Sequence, residues 1–259
     1  MTTKYPIILV HGALVKNWLF VRCFGKIDKI LRKEGYTVYV ANIDACGSIE
    51  NNALQLKQYI NKIVTKEKTE KVNLICHSKG GLDAKYMIDN LDEAHHVASF
   101  TALCSPFKGT PVATAMMNQP KRIIAIENFF MKIFYKMIGD KKPLPKVLGN
   151  QLKRVNLLDE PEMVLQEGIY FQSFSATTNS IKSNFIDSVP LMISRHMENV
   201  PTDGLVPLDS TIFGNYRGKI SEENLSHNQV IDITASYKKK KIVFEFYKNL
   251  AKDLANRGF

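Results

Sequence analysis

Within the run VNLICHSKGGLDAKYMI, residues 72–88, an apolar segment leads directly into Ser78, which is flanked by His77 and Lys79 and followed by Gly80 and Gly81. A serine hydroxyl is a poor nucleophile at neutral pH unless a general base takes its proton and an oxyanion site meets the charge that forms. A sharp strand-to-helix turn prepares both: it lifts the hydroxyl out of the sheet and aims the first helical amides at the developing charge. Such a turn wants small residues two before and two after the serine. Here these are Cys76 and Gly80, so C-H-S-K-G stands where G-x-S-x-G is usual. The pattern predicts a nucleophile at Ser78 and an oxyanion donor at the backbone N–H of Lys79. The Lys79 side chain, placed just after the serine, is expected to point away from it.

A nucleophile of this kind needs partners from elsewhere in the chain. ILVHGALV, residues 8–15, reads as a strand ending in His-Gly, and the glycine lets the following loop approach a substrate carbonyl closely. Ala13 is the matching second oxyanion donor, and His11 is read as shaping that loop. The chain order for this arrangement is serine, acid, histidine. VPTDGLVPLDS offers Asp203 on a turn bounded by Gly and Pro, and NLSHNQVID offers His227 in a polar loop. Asp203 would orient the imidazole, and His227 would take the Ser78 proton and return it to the leaving group. Asp187 and Asp209 are rival acids and His196 a rival base, while His95 and His96 fall in a helix-to-strand connection expected to be solvated.

The elements that must position these residues are legible as an alternation. Short runs rich in β-branched and aromatic residues occur at 5–10, 36–43, 72–76, 98–104 and 169–178. Between them, Leu56, Ile60, Ile63 and Val64 mark one helical face, and Tyr86, Met87 and Leu91 another. This rhythm predicts an α/β fold with a mostly parallel central sheet flanked by helices, its ligand site at the carboxyl ends of the strands. Val243, Phe246, Tyr247, Leu250 and Leu254 predict a closing amphipathic helix. From 111 to 167 the rhythm breaks, and in KRIIAIENFFMKIFYKMIGDKKPLPK apolar residues nearly encircle a helix. That segment is read as an inserted helical cap or lid within a single domain spanning 1–259, with an ordinary buried helical layer as the alternative.

Composition narrows the class. The chain has 45% hydrophobic and 23% charged residues, ordinary globular values that exclude disordered and collagen-like classes. A formal net charge of +10 favours anionic partners, but no nucleic-acid-reading motif accompanies it and no nucleic acid is expected; a lysine-rich surface also simply aids solubility. The Lys238–Lys241 run is placed in a loop or at a solvated helix start. Cys23, Cys46, Cys76 and Cys104 lack metal-ligand spacing and are read as reduced, mostly buried thiols. With no signal-like h-region and no apolar run of membrane length, the expected location is the cytoplasm, or outside the cell if a leader has been trimmed. Nothing in the sequence sets an oligomeric state.

Taken together, YPIILVHGALV, VNLICHSKGGLDAKY, SPFKGTPVA, DGLVPLDSTIFGNYRG and SHNQV resemble bacterial triacylglycerol lipases and related esterases of the α/β-hydrolase superfamily. The resemblance implies an α/β-hydrolase fold, a Ser78, Asp203, His227 triad, and Ala13 and Lys79 as oxyanion amides. It implies hydrolysis of acyl esters, lipid-like ones among them, with docking at a lipid interface under the cap. Transfer of the acyl group, cleavage of thioesters, or a non-catalytic binding role on the same fold are the alternatives. No cofactor is implied. Many lipases of this kind bind a structural calcium through an Asp two residues after the triad His; Gln229 stands there, so that site is not supported, and Asp232 or Asp187 would be the substitutes.

Overall fold

A computed structural model describes residues 2–154, 164–179 and 185–259, with the side chains of 185–187 outside the description. Six parallel strands form the sheet: β1 (Ile7–Val10), β2 (Val38–Ala41), β3 (Val72–His77), β4 (Val97–Leu103), β5 (Tyr170–Ser175) and β6 (Asn215–Lys219), in the order β2-β1-β3-β4-β5-β6. The central strands are continuous apolar runs because both their faces are covered. Every residue of β1, β3 and β4 is buried.

The two faces sort by alternation along the strands. Ile7 and Leu9 of β1 and Ile75 of β3 pack with α1 (Ile27–Lys33) and the C-terminal α8 (Tyr237–Asn256). Ile8, Val10, Leu74 and Cys76 face α2 (Ile49–Glu67) and α3 (Lys79–Asn90) on the other side. Each fully buried aliphatic side chain contributes roughly 1.5–3 kcal/mol. The helices begin where their sequences provide caps: Ser48 and Ser236 accept backbone amides at the starts of α2 and α8. Lys238–Lys241 lies at the start of α8, as the lysine run suggested.

Among the described residues, three further helices lie between β4 and β5: α4 (Pro111–Met117), α5 (Lys121–Met137) and α6 (Pro145–Gln151). α5 is not an ordinary buried layer. Ile124 and Tyr135 are its buried residues, whereas Ile126, Phe129, Phe130, Phe134 and Met137 are more than half exposed. Its far end is tied down by two buried carboxylates. Asp140 accepts Lys16 Nζ (2.8 Å) and the amides of Ala45 and Cys46, and Asp44 accepts the amides of Lys141 and Lys142. α7 (Phe185–Met197), with Pro190 inside it, precedes β6. Among the described residues, no helix is long and apolar enough to cross a membrane. All four cysteines are free and buried.

Candidate active site

Ser78 joins β3 to α3 with φ 55° and ψ −132°, a conformation that L-residues rarely adopt and that costs on the order of 1–3 kcal/mol. It occupies the N-cap position of α3, yet its hydroxyl makes no cap bond. Crowding around the turn explains the glycines. A Cβ on Gly80 would lie 2.6 Å from the His11 carbonyl oxygen, and one on Gly12 would lie 2.6 Å from Ser78 Cβ and 3.1 Å from its Oγ. Cys76 does not meet that crowding, since its side chain belongs to the core packed against α2 and α3. The strained turn therefore forms without the usual first glycine.

Lys79 supplies the first amide of α3, which has no carbonyl within the helix to take it. Its side chain runs away from the serine: Nζ lies 2.5 Å from Asp83 Oδ1, and both side chains are 1% exposed. Asn52 Nδ2 donates to Asp83 at 3.1 Å. Burial, partly offset by Lys79 and Asn52, raises the Asp83 carboxyl from 3.8 to about 6. Across the turn, Gly12 brings the loop carrying Ala13 beside Ser78, and both line the same cavity. Leu14, at φ 64°, fixes that loop: its amide donates to Ala45 O at 2.8 Å, and Tyr135 of α5 donates to its carbonyl at 3.2 Å. His11 is fully buried against the Gly12 carbonyl, and burial pushes its pKa down to about 4, so it is neutral at physiological pH.

Asp203 and His227 arrive together from loops beyond β5. Asp203 is fully buried, and its Oδ1 accepts the amides of Leu205 (2.9 Å) and Val206 (2.8 Å) within a tight turn at Gly204. The other oxygen, Oδ2, lies 2.6 Å from His227 Nδ1, and the His227 amide donates to the Asp203 carbonyl at 3.0 Å. His227 and Ser78 line one cavity. The rivals lie elsewhere: Asp209 is held by Arg154 Nη2 at 2.5 Å, and His196 is an exposed residue in the last turn of α7. Asp187 falls among the side chains outside the description. His95 and His96 sit in a 3₁₀ turn before β4, with His96 Nδ1 beside the Glu70 carbonyl.

The cavity has a volume of about 420 Å³. Gly12, Ala13, Ser78 and His227 line it together with apolar side chains of the helices after β4: Val112 and Met116 of α4, Ile124 and Met131 of α5, and Leu148 of α6. One residue that sequence reasoning missed lies behind the site: Cys104, at φ 51° just past β4, is fully buried, and burial followed by the negative charge of Asp203 holds its thiol well above 9.0. No local pattern signals that proximity.

The oxygens around Gln229 do not fit a calcium ion. Gln229 Oε1 accepts Lys239 Nζ at 2.8 Å and the Ser226 amide at 3.1 Å. Asp232 accepts the Lys26 amide at 2.9 Å and has Lys240 Nζ at 3.5 Å. Ammonium groups already stand against the oxygens that a cation would need. Among the described residues, no group of three or more His, Cys, Asp or Glu side chains could hold a metal.

Comparison with known proteins places this geometry in context. A family profile described as palmitoyl protein thioesterase matches residues 6–242. Triacylglycerol lipase 2 of Saccharomyces cerevisiae is 26% identical over 94% of this chain and 76% of its own length. A triacylglycerol lipase of Vibrio cholerae is 36% identical over 43% of this chain and 35% of its own length. Among solved structures, a metagenomic carboxyl esterase superposes with a TM-score of 0.72 over 98% of this chain and 77% of that one, at 17% identity, a likeness of fold.

Proposed function

The chain belongs to the palmitoyl protein thioesterase family and is an ester hydrolase of the α/β-hydrolase superfamily, and from that premise we propose a mechanism for its own residues. Ser78 is the nucleophile, His227 the general base and then acid, and Asp203 the carboxylate that orients His227 and stabilises its charged form. His227 takes the hydroxyl proton as Ser78 Oγ attacks the acyl carbon. The oxyanion that forms is met by the amides of Lys79 and Ala13. Collapse expels the alcohol or thiol, which receives the proton from His227, and water repeats the cycle on the acyl-enzyme.

The substrate in this reading is an ester with a lipid-like acyl chain. The observation that carries it is the apolar cavity leading from Ser78 beneath α4, α5 and α6. We read these helices as a cap. The outer side of α5, with exposed Phe129, Phe130 and Phe134 among lysines, supports docking at an anionic lipid interface. A thioester as the scissile bond is the second reading, favoured by the family profile. The test is a chain-length series of p-nitrophenyl esters alongside matched acyl thioesters, with wild type and Ser78→Ala. Activity on long acyl chains that disappears in Ser78→Ala supports the proposal. Turnover of acetate and butyrate esters alone would sink the lipid-like substrate, and undiminished activity in the variant would sink the nucleophile.

A further inference from the structure

Nucleophile and base reach the site from different parts of the sheet. Ser78 follows β3, whereas the loops carrying Asp203 and His227 hang from the extension of β5, through Thr178 N to Thr202 O (2.8 Å) and Leu225 N to Thr177 O (2.9 Å). Since β4 separates β3 from β5, the two halves stand two strand spacings apart, roughly 10 Å. The contacts between His227 and Asp203 fix the base to its acid and leave the base unfixed relative to the serine.

His77 spans that gap. It is the last residue of β3, 1% exposed, and its Nε2 lies 3.1 Å from the backbone carbonyl oxygen of His227. The two imidazole rings lie 4.5 Å apart between centroids, tilted by 46°. A carbonyl can only accept, so Nε2 carries the proton. His77 Nδ1 is buried without a hydrogen-bond partner among the described residues, so a second proton there would be a charged donor with nothing to receive it. Burial, followed by the neighbouring His227 and His11, accordingly holds the His77 pKa well below 6.5, outweighing the bond to the His227 carbonyl.

We propose that His77 is a positioning residue for the hydrolysis: as a neutral imidazole protonated on Nε2, it clamps the main chain of His227 to the residue that carries Ser78 and so sets the reach between nucleophile and base. This rests on the roles given above to Ser78 and His227. A catalytic base displaced by about 1 Å costs on the order of 10²-fold in rate, whereas substrate binding in the apolar cavity is untouched. The clamp therefore acts on kcat and not on KM.

The experiment compares His77→Phe, which keeps a ring and loses the donor, with His77→Gln, whose side-chain amide can place an N–H near the former Nε2. Kinetics on the best p-nitrophenyl ester are measured beside thermal stability and Ser78→Ala. The expected result is a kcat for His77→Phe lower by roughly 10- to 100-fold with little change in KM, and substantial recovery in His77→Gln. Nitrogen NMR of the wild-type His77 ring should show the neutral Nε2–H tautomer throughout the range in which free histidine titrates. A wild-type kcat in His77→Phe, no recovery in His77→Gln, or a ring that titrates or carries its proton on Nδ1 would each overturn the clamp while Ser78→Ala stays inactive. Activity retained by Ser78→Ala would instead remove the nucleophile assignment, and the clamp with it.

Discussion

Gly80→Ala is the smallest change that tests how the proposed nucleophile is held. The added Cβ would sit 2.6 Å from His11 O and 2.7 Å from Val10 O, where ordinary contact begins near 3.4 Å. Both obstacles are main-chain atoms, and Val10 is paired in the sheet on either side, with Ala41 and Cys76, so neither can swing aside as a side chain would. Relief must come from a relative shift approaching 0.8 Å between the start of α3 and the end of β1. Ser78 lies two residues before Gly80, and Ala13 two residues after His11, so the shift enters the distance between the hydroxyl and the proposed oxyanion amides. A misplacement of that size costs on the order of 10²-fold in kcat, and the overpacking costs roughly 1–3 kcal/mol. Kinetics on a p-nitrophenyl ester and chemical denaturation report the two losses separately. Gly149→Ala is the contrast: the atoms nearest its Cβ belong to the flexible Met117 side chain, with the sulfur at 2.7 Å, so stability should change by less than about 1 kcal/mol. Wild-type kcat and stability in Gly80→Ala would refute the claim that close backbone approach holds the turn.

Replacing Asp203 by Asn should leave the fold intact and lower kcat by roughly four orders of magnitude, read from steady-state kinetics, because the imidazole loses the carboxylate that fixes its tautomer. Burial lifts the Asp83 carboxyl from 3.8 to about 6, so the folded chain holds that proton longer than the unfolded one. This group's stabilising contribution is therefore full below about pH 4 and is lost as the pH rises through about 6, an effect of roughly 3 kcal/mol. Urea denaturation across that window should show the slope in wild type and its loss in Asp83→Asn. Asp140→Asn leaves Lys16 Nζ buried without its carboxylate and should lower the melting temperature by about 10 °C, with a fall in kcat as the loop carrying Ala13 loosens. Burial pushes the thiols of Cys23 and Cys46 up to about 12 and those of Cys76 and Cys104 well above 9.0, so a disulfide reagent such as DTNB should find none of the four reactive until the chain unfolds.

How much of this was legible in the sequence follows from the range of the interactions involved. Among the strands that were readable, β1, β3 and β4 are buried along their whole length on both faces, and β2 and β5 stand out through their β-branched and aromatic residues. β6 was not, since Asn215–Lys219 is an edge strand whose five residues are partly or fully exposed and carry no period of two. Ser78, Asp203 and His227 announce themselves through turn chemistry beside them. The ties that bring them together are formed between residues far apart in sequence, and no local pattern records them: His77 to His227, and Asp44 and Asp140 to the end of α5. The Lys79 and Asp83 pair, at i and i+4, was within reach of helical spacing, and it accounts for where the Lys79 side chain goes. Cys76 carries the clearest lesson. A glycine is expected at that position, yet the main-chain approaches that demand one occur at Gly12 and Gly80, where a Cβ would meet Ser78 or the end of β1 at 2.6 Å. Position 76 instead packs into the core between the sheet and α2 and α3, where a small thiol fits. The turn is therefore set by the backbone contacts around the serine, and a sequence pattern is a record of them only where those contacts are made.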